Sequence, residues 1–536
     1  MSTDCIPFKE TGYFSTLICD YIDANNSLRH FYNRYPSIEN FKAQITEKAT
    51  SYSQKSRDIL VDALVAQHEN IHLYEATKKN LSLLKNSTTY TITTGHQLNL
   101  FTGPLYFLYK IIATINLVKK LKEQYPEYDF IPIYWMATED HDFDEIRYFN
   151  YKGKKIQWDK QVENNNQGAV GAFSNEGLEA VSDLFSKELG IGKKADAIRK
   201  LFKEAYAKHN TLSEATRYLT NELFSEYGLV IIDGNDKQFK QLFIPYMEEE
   251  LLKNTSYKKV SEQAEKLNSI SYNVQVNPRE INLFYLMENK RERIIEKDGI
   301  YFVNDTDLQW KKDDFIKHLN KNPERFSPNV ILRPLYQEVI LPNLCYIGGG
   351  GEIAYWLELN SFFNAVKVPF PMLLVRNSAL ILSKNQEQKL KKLNIAPQQL
   401  FLKRNELINQ KIKDISDISI DFTPQKNHLK EQFKALYELA KQTDKSFLGA
   451  VKAQEVKQLK GLIKLEKRLL KAQKRKLNDH VIRVRKIHEA LFPNESLQER
   501  IVNFAEFYEN YGNDFIKTLT KSINPLQPGF IILILK

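Results

Sequence analysis

"YTITTGHQLNLFTGPLYFLYKIIATINLVKKLKE", residues 90–123, places a short strand-like run before a glycine-bracketed polar turn and an apolar, helix-like pattern. The next segment, "DFIPIYWMATEDHD" at 129–142, is a short apolar run that ends in acidic residues. Strand, helix and strand at this spacing predict a βαβ unit with two parallel strands. These residues therefore predict an α/β fold built on a parallel sheet.

Two later segments extend that sheet. "YGLVIIDGND" (227–236) and "PFPMLLVRNS" (369–378) are short apolar runs followed by polar residues. This pattern is typical of an open α/β sheet, in which ligands bind beyond the carboxyl ends of the strands. The more polar stretches 150–225 and 255–330 indicate insertions, and the apolar spacing of 56–84 predicts a packed helix.

The 536 residues are too many for one compact core, so we expect several domains. From about residue 381, Lys, Gln, Leu and Glu dominate and glycine and proline become scarce. We predict a core over 1–380, an α-helical coiled-coil arm over 381–492, and a segment over 493–536 that returns to the core. The apolar run at the end of this last segment could add a strand to the core.

One seam of the predicted arm repeats every seven residues, as in a coiled coil. Its members are Val456, Ile463, Leu470, Leu477, Val484 and Leu491. The second seam is poorer, because Glu466, Gln473 and His480 interrupt it. A helical hairpin or a mixed dimer seam therefore fits better than a leucine zipper, and Pro493 should end the helix.

The net charge of +10 is concentrated in the arm, because residues 452–486 hold 13 Lys or Arg and three acids. An RNA-binding coiled coil is one interpretation, but this stretch lacks the aromatic residues on which bases stack. The solvated face of a long helix is the favoured alternative. No membrane span or signal segment is evident, so we expect a cytoplasmic protein.

Three cysteines, Cys5, Cys19 and Cys345, form no CxxC pair and no metal-ligand spacing. Neither a disulfide framework nor a zinc site is predicted. We expect reduced thiols, with Cys345 buried among apolar neighbours and not a nucleophile.

The turn after the first strand is the first candidate site. Gly95 lets the backbone approach a ligand, and Gly103 precedes a helix N-terminus that could bind phosphate or carboxylate. His96 is a candidate general acid or base, and the polar side chains of the same turn are candidate substrate contacts: Gln97, Asn99 and Thr102. The alternative is a tight βα turn with a surface histidine.

The second candidate site is "ATEDHDFDEI", five carboxylates within seven residues around His141. Such a cluster needs solvent, cations, a metal or a substrate ammonium to offset its repulsion. It follows a predicted strand, so part of it should lie at the mouth of the sheet crevice. We assign His141 and Asp142 to catalysis and Glu139 and Asp140 to substrate binding; helix N-capping explains one or two of the acids.

The third candidate site lies in "LRPLYQEVILPNLCYIGGGGEIAYWLELN", residues 332–360. Four consecutive glycines precede a helix, without the Lys-Ser/Thr ending of a P-loop. The candidate substrate contacts are Arg333, Gln337, Gly349, Gly350 and Glu352, with Arg376 from the following strand. A long hinge turn is the alternative.

Four ordered segments together resemble the bacillithiol-biosynthesis cysteine-adding enzymes, the BshC family, across essentially the whole chain. They are "TTGHQLNLFTGPLYFLYK", "PIYWMATEDHDFDEI", "FSPNVILRPLYQEVILPNLCYIGGGGEIAYW" and "LFPNESLQERIVNFAEFYENYGNDFI". The resemblance implies a Rossmann-like core with connecting insertions and a coiled-coil arm used for homodimerisation. It also implies a ligase that joins cysteine to glucosaminyl-malate by an amide bond, in the last step of bacillithiol synthesis.

Amide formation requires an activated cysteine carboxyl, which ATP or another nucleotide with Mg²⁺ would supply, and attack by a neutral amine. We assign proton transfer to His96 and His141. Glu139, Asp140 and Asp142 are candidates to bind the substrate ammonium. Arg333 and Arg376 are candidates to bind the malate carboxylates. The turn carries one histidine where class I aminoacyl-tRNA synthetases carry HxGH. Another amino-acid-activating or nucleotidyl-transferring enzyme of that kind is the alternative, and nucleic acid is not expected as a partner.

Overall fold

The computed structural model describes residues 3–159 and 168–535. Two compact units are present. The larger comprises Cys5–Leu380 and Gln498–Leu533, and the smaller is built mainly from Ile381–Leu497. No helix in the described part of the chain is long and apolar enough to cross a membrane.

The strands, in chain order, are β1 (Thr3–Ile6), β2 (Thr89–His96), β3 (Asp129–Met136), β4 (Tyr148–Tyr151), β5 (Lys154–Gln157), β6 (Val230–Asp233), β7 (Leu283–Met287), β8 (Lys290–Lys297), β9 (Ile300–Val303), β10 (Gln309–Lys311), β11 (Phe326–Pro328), β12 (Asn343–Gly348), β13 (Met372–Val375), β14 (Ser378–Ser383) and β15 (Phe530–Leu535).

The helices up to the second insertion are α1 (Phe8–Thr11), α2 (Thr16–Ile22), α3 (Asn40–Ser51), α4 (Gln54–Gln67), α5 (Glu75–Leu83), α6 (Tyr106–Gln124), α7 (Phe143–Ile146), α8 (Leu178–Glu188), α9 (Lys193–Ala207), α10 (Leu212–Phe224), α11 (Lys237–Lys253) and α12 (Thr255–Ser269). Those that follow are α13 (Lys312–Lys321), α14 (Leu332–Ile340), α15 (Gly350–Trp356), α16 (Asn360–Ala365), α17 (Lys384–Lys392), α18 (Arg404–Ile415), α19 (Thr423–Ala440), α20 (Lys445–Lys476), α21 (Asn478–Leu491), α22 (Ala505–Tyr511) and α23 (Asn513–Ser522).

The predicted parallel sheet is confirmed and has five strands in the order β13-β12-β2-β3-β6. The chain first builds outward from β2 through β3 to β6, and later places β12 and β13 on the other side of β2. The strand order therefore reverses between β2 and β12. In open α/β sheets, the crevice beyond the carboxyl ends at such a switch point is where ligands bind.

The central strands β2 and β12 are buried along their whole length, although four of the eight residues of β2 are threonines. Their buried polar side chains are satisfied across the sheet: the Asn343 Oδ1 accepts hydrogen bonds from Thr91 and Thr93. Pro132 lies within β3, but β6 pairs with β3 only from Ile133 onward. The missing N–H of Pro132 therefore leaves that pairing intact.

Both predicted insertions are present in the larger unit. The first contains the hairpin β4-β5 and α8–α10, and the second contains an antiparallel sheet in the order β10-β9-β8-β7-β11. The prediction of one helix over 56–84 is wrong, because the chain leaves the helix at His68 and forms α4 and α5 instead. The His68 ring bonds back to the Leu64 carbonyl at 2.7 Å, where α4 ends.

The smaller unit contains the helical arm, α17–α21. Helices α19 and α20 pack as a hairpin around Phe433, Ala440 and Val451, which is one of the two arrangements left open by the sequence. Val456 and Ile463 of the seven-residue seam are 42% and 41% exposed, so they lie outside this hairpin core. The last helix of the arm ends at Leu491, before Pro493, as predicted.

The C-terminal apolar run forms a strand, β15, as expected. It joins β1 and β14 in a three-stranded sheet instead of the parallel sheet. Its six residues are almost entirely buried.

Candidate active site

A cleft of about 520 Å³ opens in the larger unit beside the switch point between β2 and β12. Tyr106 lines it at the start of α6, and Arg376 lines it directly after β13. The remaining lining comes from several loops: Asn99, Pro104, Glu145, Tyr148, Phe149, Asn150, Gln275, Gly349, Gly350, Gly351, Glu352, Tyr355, Arg500 and Ile501. The cleft carries charges of both signs, since two glutamates and two arginines face it.

Glu352 is the most firmly held charge of the cleft. Its Oε2 lies 2.5 Å from the Lys110 Nζ and accepts the Gly349 N–H at 2.8 Å, and its Oε1 accepts the Tyr346 hydroxyl at 2.6 Å. Burial by itself would raise the pKa of Glu352, but Lys110 and these hydrogen bonds outweigh it, and the pKa lies below its ordinary value. Glu352 therefore presents a carboxylate anion to the cleft at neutral pH.

Lys110 comes from the buried face of α6 and has only 4% of its side chain exposed. Its Nζ also donates to the Gly95 carbonyl at 2.7 Å. This contact ties the last residues of β2 to the first turn of α15. Sequence reasoning missed Lys110, although a single lysine within the apolar run "LYKIIATINL" is a signal for a buried, paired charge.

Gly95 and His96 end β2 beside this pair. A Cβ on Gly95 would meet the Tyr346 hydroxyl at 3.3 Å, which explains the need for glycine there. His96 is buried against the rings of Tyr106 and Phe107, and its Nε2 has no hydrogen-bond partner in the described part of the chain. Burial, together with the charges of Lys110 and Arg376, lowers the pKa of His96 well below its ordinary value, so the ring is neutral.

The turn between His96 and α6 has a strained backbone, and a residue from a distant segment fixes its conformation. Phe101, Thr102 and Gly103 have φ of +47°, +68° and +62°. Two buried residues of the turn leave a polar atom unpaired, namely Oδ1 of Asn99 and Oγ1 of Thr102. The Asn503 amide donates to the carbonyls of Phe101 and Gly103 at 2.8 and 2.7 Å, fixing this conformation.

Each of the five clustered carboxylates has a protein partner, and two of them share one. Glu139 pairs with the buried Lys240 at 2.6 Å, and Asp142 caps α7 by accepting the Glu145 N–H. Asp144 pairs with Arg147, while Asp140 and Glu145 both accept hydrogen bonds from the Gln97 amide at 2.9 Å. Of the five, only Glu145 lines the cleft, and no group of three or more potential metal ligands occurs among the described residues.

His141 lies on the outer side of this cluster. Its Nδ1 accepts a hydrogen bond from the Arg291 guanidinium at 3.0 Å, so its remaining Nε2 carries the proton. Burial and the nearby Arg291 charge lower the pKa of His141. The residue is thus neutral, with its basic nitrogen already engaged.

The predicted arginine contacts differ in their availability. Arg376 pairs with Glu499 at 2.8 Å and donates to the Asn377 carbonyl at 2.9 Å. Arg333 lies behind the cleft wall, where it donates to the Tyr355 hydroxyl and to the Gln337 side chain. Gln337 is fully buried and forms no part of the cleft lining.

The glycine run forms the end of β12 and the first turn of α15, with Gly349 and Gly350 at the cleft. The carboxylate of Glu352 already accepts the Gly349 N–H. Sequence reasoning also missed Tyr346 and Tyr355, which lie within the third candidate segment itself. It missed Glu499 and Arg500 because a distant segment brings them to the site.

Comparison with known proteins identifies relatives along the entire chain. The N-terminal Rossmann-like domain of bacillithiol biosynthesis BshC matches residues 1–377, and its C-terminal coiled-coil domain matches residues 379–535. Proteins named "Putative cysteine ligase BshC" from Christiangramia forsetii and Flavobacterium johnsoniae are each 56% identical, with 99% of this chain and 99–100% of theirs covered. A relative of the same name from Cytophaga hutchinsonii is 34% identical, with 98% and 97% covered.

A solved structure titled as a putative arginyl-tRNA synthetase from Campylobacter jejuni aligns with 88% of this chain and 98% of its own. The identity is 9% and the TM-score 0.22, so this likeness supports no statement about fold or chemistry.

Proposed function

Because the chain belongs to the BshC family of bacillithiol biosynthesis, we propose that it is the ligase that joins the carboxyl group of cysteine to the amino group of glucosaminyl-malate. The reaction forms an amide bond and completes bacillithiol. The observation that carries the proposal is the full-length match to proteins named as cysteine ligases. The cleft at the switch point supports the proposal, because it carries charges of both signs and the two substrates carry an ammonium group and carboxylates.

Glu352 is proposed to bind the ammonium of cysteine. Its carboxylate stays ionised because Lys110, Tyr346 and the Gly349 N–H hold it. A carboxylate with a lowered pKa is a weak base but a strong partner for an ammonium ion. Glu145, held by Gln97, is a second anion on the same wall.

His96 is proposed to hydrogen-bond the reacting carboxyl and to take the proton of the attacking amine. Its ring is neutral and its Nε2 lacks a protein partner. The ring packs directly against Tyr106, which lines the cleft. His141 is less suited to accept a proton, since Arg291 already occupies its basic nitrogen.

A nucleotide such as ATP, with Mg²⁺, would supply the leaving group that activates the cysteine carboxyl. The part of the site that fits its phosphates is the N-terminal turn of α6, where Tyr106 lines the cleft, because a helix N-terminus attracts anions. The acidic residues 139–145 are already matched by protein partners, so we propose that any Mg²⁺ enters with the nucleotide.

We further propose a homodimer formed through the arm. The outward-facing apolar residues of α20 would supply the contact, since Val456, Ile463 and Leu465 are all more than 40% exposed.

The test compares cysteine with other amino acids in the presence of glucosaminyl-malate, ATP and Mg²⁺, following nucleotide turnover. Turnover that requires cysteine and glucosaminyl-malate together supports the proposal, and the nucleotide released identifies the activation chemistry. Turnover with another amino acid, or without the sugar, would favour a different amino-acid-activating enzyme.

A further inference from the structure

Arg500 differs from the other charged residues of the cleft because it has no charged partner among the described residues. Glu352 pairs with Lys110, Arg376 pairs with Glu499, and Glu145 accepts from Gln97. The Arg500 side chain is exposed and makes no hydrogen bond or ion pair within residues 3–159 and 168–535. Its whole guanidinium therefore remains available to a ligand, whereas Arg376 leaves only its Nε without a partner among the described residues.

The backbone that presents Arg500 is anchored on both sides by fully buried residues. Glu499 accepts hydrogen bonds from Arg376, from the Ser378 hydroxyl and from the Ala379 N–H, at 2.8, 3.1 and 3.0 Å. Three residues further on, Asn503 donates to the strained turn that precedes α6. An arginine on a segment fixed in this way loses less freedom when it binds than one on a mobile loop.

The chemistry of a free guanidinium in such a cleft favours a carboxylate. Arginine binds carboxylates through two parallel hydrogen bonds, and one without an internal partner keeps both for the ligand. Among the proposed substrates, the malyl group carries two carboxylates, the sugar carries none, and the cysteine carboxyl is consumed by the reaction. Arg376, which the sequence suggested for this task, already has Glu499 as its anion.

We propose that Arg500 recognises the malyl carboxylates and thereby sets the specificity of the acceptor side of the cleft. The assignment rests on the proposed function for the identity of the ligand, and on the unpaired guanidinium for its chemistry. Glu499 and Asn503 are positioning residues, because they fix the segment and do not touch the ligand.

Steady-state kinetics of the full-length R500M and R500K variants test this assignment. R500M is expected to raise the KM for glucosaminyl-malate roughly 10- to 100-fold, the range for loss of a charge-assisted hydrogen bond. The KM for cysteine should stay within about twofold, and R500K should recover part of the loss. R468M, which removes an exposed arginine of the smaller unit that has no ion pair among the described residues, is the matched control and should behave as wild type.

A glucosaminyl-malate whose two carboxylates are converted to amides separates recognition from a general defect. Wild type and R500M should use this diamide equally poorly. An unchanged KM for glucosaminyl-malate in R500M would overturn the assignment. So would an R500M variant that falls below wild type on the diamide by the same factor as on glucosaminyl-malate.

Titration calorimetry with malate alone distinguishes failure of this inference from failure of the proposed function. Malate binding by wild type that is lost in R500M supports the carboxylate site even if no mixture yields product. Product formation by wild type together with equal malate binding by both proteins would refute the role of Arg500 while leaving the ligase proposal intact.

Discussion

Replacing Lys110 by methionine removes the cation that holds Glu352 while keeping a side chain of similar length. Breaking a buried ion pair by removing one partner costs about 3–5 kcal/mol. Glu352 retains 26% exposure of its side chain and two other donors, so K110M should fall near the lower end, about 3 kcal/mol. That corresponds to a change of about a hundredfold in the unfolding equilibrium constant.

The substitution of the other partner, E352Q, should lower the free energy of unfolding by more, about 4–5 kcal/mol. Lys110 is only 4% exposed and would keep its charge without an anion. The double variant K110M/E352Q should cost less than the sum, since neither charge remains unpaired. Urea unfolding of the full-length variants at pH 7, followed by circular dichroism, measures all three changes in the free energy of unfolding.

The pH dependence gives an independent test of the same pair. The pKa of Glu352 is depressed in the folded protein, so its contribution is present above the unfolded-state pKa and is lost as the pH falls through the folded value. The stability difference between wild type and K110M should therefore shrink on acidification. A cost below about 1 kcal/mol at pH 7, or strictly additive variants, would refute this account of the site.

The remaining predictions concern other parts of the molecule. H96N should abolish product while leaving the far-ultraviolet circular dichroism spectrum unchanged; full activity would remove His96 from the mechanism. G103A should lower stability by about 2 kcal/mol in thermal unfolding, because its φ is +62° and a Cβ would lie 2.7 Å from the Asn99 Cβ. G351A has open space around its Cβ position and should be tolerated, so equal effects of the two would count against the strained turn. Burial raises the pKa of Glu358 to about 7, so the stability of wild type should fall as the pH rises from about 4.5 to 7, and E358Q should flatten this window in pH-dependent unfolding. V456K/I463K should convert a dimer into a monomer in sedimentation velocity, whereas a wild type that is already monomeric would exclude dimerisation through this face.

Local patterns were sufficient to predict the parallel sheet and the helical arm. β3, β6 and β13 are short apolar runs because both of their faces are buried, and α20 follows a regular spacing because it packs on one side. The split of residues 56–84 into α4 and α5 was missed because the apolar spacing continues across the break at His68.

The site was less predictable because its interactions join distant segments. His96, Glu352 and Arg376 carry local signals, but the partners that set their charge states lie up to 280 residues away, as for His96 and Arg376. A sequence pattern identifies a charged residue without telling whether a buried counter-ion already satisfies it. For that reason the sequence suggested Arg333 and Arg376 for the carboxylates and did not suggest Arg500, which has no ion-pair partner in the described part of the chain.

The central claim is tested most directly by mass spectrometry of the purified protein with glucosaminyl-malate, cysteine, ATP and Mg²⁺, omitting each in turn. The account predicts a product with the mass of the cysteinyl amide of glucosaminyl-malate, and its absence when either cysteine or glucosaminyl-malate is left out. A folded protein that forms no such product in the complete mixture would contradict the account.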